Sequence, residues 1–354
     1  MVRDPDRSRA SMRATVLPAN RPRHIYRGGG NIARFRGVDP IDAYRPEDWI
    51  GSATTRLGAE SVGLTTPPDG RTLRSALDEN PVGWLGSAHT QRWGATPALL
   101  VKLLEQGSGC LCTVIRVGCS PVSTCQATSA RRRHGSSSTR LAVTPASTSA
   151  SGTTCPNGTC GPGTATQDRD ALLGAANRIE AHAGESVVVP AGLPHAIDPG
   201  VFLVELQEPT DFSVLLEWEG FAPDPGSAHL SLGWDVALQC VDRRAMSPEA
   251  VARLVHSRER MAEVRPQVLR VFADAADPYF RAELISGGGV TDPSFAILVV
   301  LDGEGSIDFS DGAHLPVRRG QTVLVPHGAG AAVIVGDIEV FRCLPPNPAT
   351  PPEA

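Results

Sequence analysis

The sequence predicts a mainly β protein built from two jelly rolls with a few short helices, and three observations carry that expectation. Brief β-branched runs recur between Gly, Pro and Asp turn residues, two stretches repeat one strand-turn-strand plan, and only three segments read as helices. At 354 residues, with 41% hydrophobic and 20% charged residues, the chain is long enough for two cores.

In chain order, MVRDPDRSRASMRATVLPAN carries charge but no apolar centre for a signal peptide. Residues 1–16 therefore read as a disordered leader, with Met12 a candidate start. TLRSALDENPVGWLG and DALLGAANRI read as short helices, and ESVVVPAG, VFLVELQ and FSVLLEW as strands of a first jelly roll spanning 17–220. SPEAVARLVHSRERMAE places Ser247 at an N-cap, Pro248 at the first helical position and Glu249 in the first turn, so 221–265 reads as a partly helical connector. FAILVVLDGEG, SIDFSDG, QTVLVPHG and AAVIVGDIEVFRC supply a second jelly roll at 266–345, and 346–354 reads as a disordered tail.

The repeated plan lies in AHAGESVVVPAGLPHAIDPGVFLVEL, from Ala181 to Leu206, and VRRGQTVLVPHGAGAAVIVGDIEVFRC, from Val317 to Cys343. Each runs turn glycine, polar residue, apolar strand, Val-Pro, Gly-rich turn, strand. Only the first copy carries the histidine of LPHA; in the second, His327 precedes the turn.

A net charge of -5 gives no basic footprint for nucleic acid and no electrostatic attraction to an anionic membrane. No apolar run approaches the roughly 20 residues that span a bilayer. The expectation is a cytoplasmic protein with neither nucleic-acid nor membrane partners; oligomeric state is not legible.

RPRHIYRGGGNIARFRG, EDWIGSA, PALLVKLLE and VVVPAGLPHAIDPGVFLVELQEPTDFSVLLEW together resemble the class I mannose-6-phosphate isomerases, a metal-dependent cupin family. The resemblance covers about 17–105 and 165–345 and implies two cupin-type jelly rolls, the first bearing the ligands. It also implies a small sugar-phosphate substrate, and zinc held by a Q-or-H-x-H-P pair, a Glu about 20 residues on, and the histidine of the VPAG-x-PHA turn. The metal would polarise the sugar carbonyl and hydroxyl while a base moves a proton between C1 and C2. By motif, His195 matches the last metal ligand, Lys102 the substrate lysine, Glu205 a catalytic carboxylate on the following strand, and Trp49 an active-site tryptophan. Leu215 stands where the family keeps a catalytic arginine. Each has a plainer reading: a turn histidine is commonly structural, Lys102 a solvated strand-end lysine, Trp49 core, and Glu205 an outward residue of an alternating strand.

The remaining ligands belong just after Lys102, in the segment 106–166, and are absent from it. From Cys110 to Thr164 there is no Asp, Glu, Phe, Tyr or Trp, but there are six of the eight cysteines and 19 Ser or Thr residues. The cysteine spacings match no paired C-x2-C zinc site, and His134 stands alone. The arginines Arg131, Arg132 and Arg133 mimic a phosphate site. Read one frame away, synonymous codons permit a string with an HxHP motif, its histidines overlapping the codons of Thr113 and Ile115 and a later Glu that of Arg133. The segment is therefore read as an aberrant, frameshifted stretch, expected to be irregular and poorly packed. The function read from the whole is zinc-dependent isomerisation of mannose 6-phosphate and fructose 6-phosphate, with zinc not retained by the chain as written. The alternatives are a metal-free sugar-binding cupin and a defective product.

Overall fold

The computed structural model describes residues 12–40, 42–107, 113–115, 122–127, 139–143, 167–222 and 224–350. It is mainly β, with large antiparallel sheets of the kind a cupin-like fold requires. The strands of the first half are β1 Thr15–Val16, β2 Glu47–Ile50, β3 Leu100–Glu105, β4 Thr113–Ile115, β5 Val122–Ala127, β6 Thr139–Val143, β7 Asn177–Ala181, β8 Ser186–Pro190, β9 His195–Ile197, β10 Phe202–Gln207 and β11 Ser213–Leu215. There follow β12 Val255–His256, β13 Ala262–Arg265, β14 Val268–Arg270, β15 Arg281–Ser286, β16 Val290–Thr291, β17 Ala296–Phe309, β18 His314–Arg318, β19 Thr322–Val325 and β20 Ala332–Leu344.

Three sheets result. One runs β12-β8-β5-β10-β3-β2, a second β11-β4-β9-β6-β7, and the third β1-β19-β17-β20-β15-β14-β13, with β16 on β20 and β18 on β17. β10 sits inside the first sheet between β3 and β5, and all six of its residues are buried, so FLVELQ is apolar on one face and carries buried polar groups on the other. The largest apolar cluster joins Leu103 and Val204 of that sheet to Phe341 of the third and to Phe280 and Phe295, which immediately precede β15 and β17.

Local chemistry explains the elements that the sequence points to. Ser247 caps the helix Pro248–Ala252 by accepting the Ala250 N–H at 3.2 Å, and Thr72 does the same for Leu73–Glu79. The two runs FAILVVLDGEG and SIDFSDG form one 14-residue strand, β17, because Gly303 sits at φ 75 beside a register shift and lets the β20 backbone approach. A Cβ there would lie 1.9 Å from the Asp337 carbonyl oxygen.

Four expectations need correction. The leader does not extend to residue 16: Thr15–Val16 pairs with Leu324 and Val323, since the edge of β19 offers main-chain partners. The tail is held as far as residue 350, the Asn347 N–H donating to the Asp277 carbonyl at 2.7 Å. The third helix is short, and the chain leaves it to form β12 against β8, because Leu254 and Val255 gain burial there. Within the segment expected to be irregular, β4, β5 and β6 are paired strands. TVI, VSTCQA and TRLAV are rich in β-branched residues, and the open edges of β8, β9 and β10 accept any backbone that extends. The rest of that segment, with Arg131, Arg132, Arg133 and His134, lies outside the described residues.

One buried ion pair ties the parts together. Arg36, ending the helix Asn31–Arg36, reaches Asp48 of β2 at 2.5 Å and the Thr322 hydroxyl of β19 at 3.0 Å, while Asp48, fully buried, accepts the Asn20 N–H at 2.8 Å. Asp48→Ala strands the Arg36 guanidinium in the interior and should cost about 3–5 kcal/mol in urea unfolding. A loss within ordinary surface values would show that the pair is not a tie.

Candidate active site

The antiparallel register of β2, β3 and β10 places Trp49 across from Lys102 and Lys102 across from Glu205. Directly paired residues share a sheet face, so the three side chains form one row. Lys102 Nζ lies 3.3 Å from Glu205 and 3.4 Å from Glu47, and 5.2 Å from the centre of the Trp49 ring. Glu47 is two residues before Trp49 on β2 and therefore faces the same side. It accepts hydrogen bonds from the Tyr26 hydroxyl at 2.5 Å and the Trp49 indole N–H at 2.7 Å, and His24 Nε2 lies 3.5 Å away.

All these groups are buried, and the charges answer to one another. Burial works against the Lys102 ammonium, but Glu47 and Glu205 outweigh it and hold its pKa above the ordinary lysine value. Burial likewise opposes ionisation of Glu47, yet charge from His24 and Lys102 and the hydrogen bonds of Tyr26 and Trp49 bring it down to about 2. Burial raises the Tyr26 hydroxyl, so it stays protonated and donates. Burial lowers His24, with the Glu47 charge opposing.

His195 enters from the other sheet, on β9, and is 6% exposed. Its Nδ1 lies 3.0 Å from the Leu193 carbonyl, which fixes the tautomer that donates there and leaves Nε2 as the lone-pair nitrogen. Burial lowers its pKa, with the Leu193 hydrogen bond and Glu205 opposing. Lys102, Glu205 and His195 line one cavity of about 490 Å³ together with Leu215. Trp49 lies under Lys102 and contributes core, not lining.

The residues that the sequence reading passed over are His24, Tyr26 and Glu47, together with Gln207, Asp211 and Arg56, all on the same cavity. RPRHIYRGGG and EDW contain the first three, but nothing in their spacing says that they converge. Gln207 is legible only as the next inward position after Glu205 on an alternating strand.

The described residues do not fit zinc. Among them there is no group of three His, Cys, Asp or Glu side chains that could hold a metal ion. The register partners of His195 are Thr113 on β4 and Val143 on β6, and the partner of Thr113 on its other side is Leu215. Neither valine nor leucine can donate to a metal, so these partners add no ligand to His195.

No family model matches the chain, and no curated protein matches it. Solved structures do. The mannose 6-phosphate isomerase of Bacillus subtilis aligns with TM-score 0.64 and 17% identity, over 93% of this chain and 99% of that one. A histidine-to-alanine variant of the phosphomannose isomerase of Salmonella typhimurium gives 0.68 and 12%, over 94% and 100%. A mannose 6-phosphate isomerase bound with zinc and yttrium gives 0.66 and 13%, over 94% and 100%. At these identities the likeness shows the fold: the chain has the mannose-6-phosphate-isomerase-like fold along nearly its whole length. No helix among the described residues is long and apolar enough to cross a membrane.

Just beyond the cavity strand, burial pushes the Glu208 carboxyl up from 4.5 to about 7. The folded protein thus holds a proton that the unfolded chain releases earlier, a contribution to stability that is complete below about pH 4.5 and lost as pH rises through 7. Glu208→Gln should therefore raise the thermal midpoint at pH 8 and leave it unchanged near pH 4.5; equal midpoints at both pH values would contradict the shift.

Proposed function

We propose that this chain is a protein of the mannose-6-phosphate isomerase type whose cavity receives a phosphorylated hexose, the reaction of the type being the interconversion of mannose 6-phosphate and fructose 6-phosphate. The observation that carries this reading is the convergence of Lys102, Glu205 and His195 on one cavity from three strands and two sheets, at positions where the motifs point to a substrate lysine, a carboxylate and a ligand histidine. In this reading Lys102 offers its ammonium to the sugar oxygen on which negative charge develops, and Glu205, its carboxylate 3.3 Å from the ammonium, accepts a hydrogen bond from a hydroxyl or takes up a proton.

A second reading, binding without turnover, is favoured by the donor set. The strand partners of His195 are Thr113 and Val143, with Leu215 paired beyond Thr113, so among the described residues they add no imidazole or carboxylate to His195, and a catalytic zinc wants three protein ligands. No step is therefore assigned to zinc in the chain as written. Fold likeness leaves the choice of sugar open.

Zinc content and mannose 6-phosphate turnover, measured side by side on two proteins, separate the readings. The chain as written should hold no stoichiometric zinc and show no turnover while still binding hexose phosphate in calorimetry. Thr113→His with Ile115→His places two imidazoles on the His195 face, since Thr113 pairs with His195 and Ile115 with Ser213 of the cavity wall. That double variant should gain zinc. An active, zinc-loaded chain as written would refute binding without turnover, and a double variant still free of zinc would refute the placement of the site.

A further inference from the structure

Gln207 is a buried amide with one end fixed and the other unspent. It is 3% exposed and lies on β10 two residues after Glu205, so both side chains face the cavity, about 7 Å apart along the strand. Its Nε2 donates to the Thr210 carbonyl at 2.6 Å and, more weakly, to the Glu208 carbonyl at 3.4 Å. Two carbonyl partners decide which end of the amide is nitrogen, because a carbonyl accepts and cannot donate. The other end, Oε1, is buried with no hydrogen-bond partner.

An unsatisfied buried acceptor costs roughly 1–3 kcal/mol, and apolar residues of similar size such as methionine avoid that cost. The surroundings narrow what Oε1 can receive. Lys102 lies between two carboxylates, and Leu215, Leu104 and Ile197 are apolar walls. A hydroxyl of a bound ligand can supply the donor. With Glu47, Glu205 and Asp211 lining the same cavity against Lys102 and Arg56, a second anion is disfavoured at this depth, and a neutral hydroxyl suits the position.

We propose that Gln207 is a specificity-determining residue that receives one hydroxyl of the bound sugar on Oε1, held in that orientation by Thr210. The inference rests on the sugar reading above and adds to it a single reporting position on the ring. Because the amide is anchored by backbone carbonyls, it reads a hydroxyl donor at one place and rejects a ligand that lacks it there.

The test pairs ligand and protein changes in calorimetry, using mannose 6-phosphate, its 2-, 3- and 4-deoxy analogues, and free mannose. For the chain as it stands, one deoxy analogue should bind about five- to tenfold more weakly than the parent, the value of one neutral hydrogen bond. In Gln207→Met the parent should weaken by a similar factor, and the penalty of that analogue should vanish while the others keep theirs. Urea unfolding of the unliganded variant checks that it is folded, and Gln207→Leu repeats the measurement should the methionine variant not fold. If every deoxy penalty persists in the folded variant, the role of Gln207 is refuted and the sugar reading stands. If neither phosphorylated nor free sugar binds the unmodified chain, both fall together.

Discussion

The structure around the cavity depends on one buried cation. Lys102 is 7% exposed, and an ammonium so placed is tolerable only with carboxylates at hand. Glu47 from β2 and Glu205 from β10 supply them, at 3.4 and 3.3 Å, and so hold three neighbouring strands in one register. A slip by one residue would turn Lys102 into the apolar cluster that holds Leu103 and Val204. Trp49 lies under the ammonium, and the Tyr26 hydroxyl donates to Glu47.

That arrangement also governs what the cavity can do. Lys102 is already matched by two carboxylates, so its charge acts on a ligand only as part of the cluster. The His195 ring is held by Leu193, and Glu47, Glu205 and Asp211 put carboxylate acceptors on the cavity wall. The leucine at 215 gives no cation on the β11 side, and the backbone register pairs His195 with Thr113 of β4 and Val143 of β6.

Much of the fold was legible in the residues. The runs ESVVVPAG, VFLVELQ and QTVLVPHG became β8, β10 and β19, and Ser247 capped its helix, because these depend on local chemistry: β-branching, turn glycines and a side-chain oxygen near free N–H groups. Legibility failed where a distant edge decided the outcome. Thr15–Val16 became a strand only because β19 offers partners, and TVI, VSTCQA and TRLAV became strands only because β8, β9 and β10 do. Backbone pairing asks little of the side chains, so composition alone misjudged them.

The site divides in the same way. Motif text singled out Lys102, His195 and Glu205, and it marked Leu215 as a departure, because identity along the chain is what a sequence records. It did not reveal that Tyr26, His24 and Glu47 close around Lys102, nor that Gln207 turns an unspent oxygen inward. Those facts are distances between residues as far apart as 24 and 205, set by strand register and by the packing of one sheet against another. The sequence by itself determined which chemical groups were available and the short-range structure that carries them. The tertiary structure decided which of them meet, since charge, burial and hydrogen bonding act through space over a few ångströms, whatever the separation along the chain.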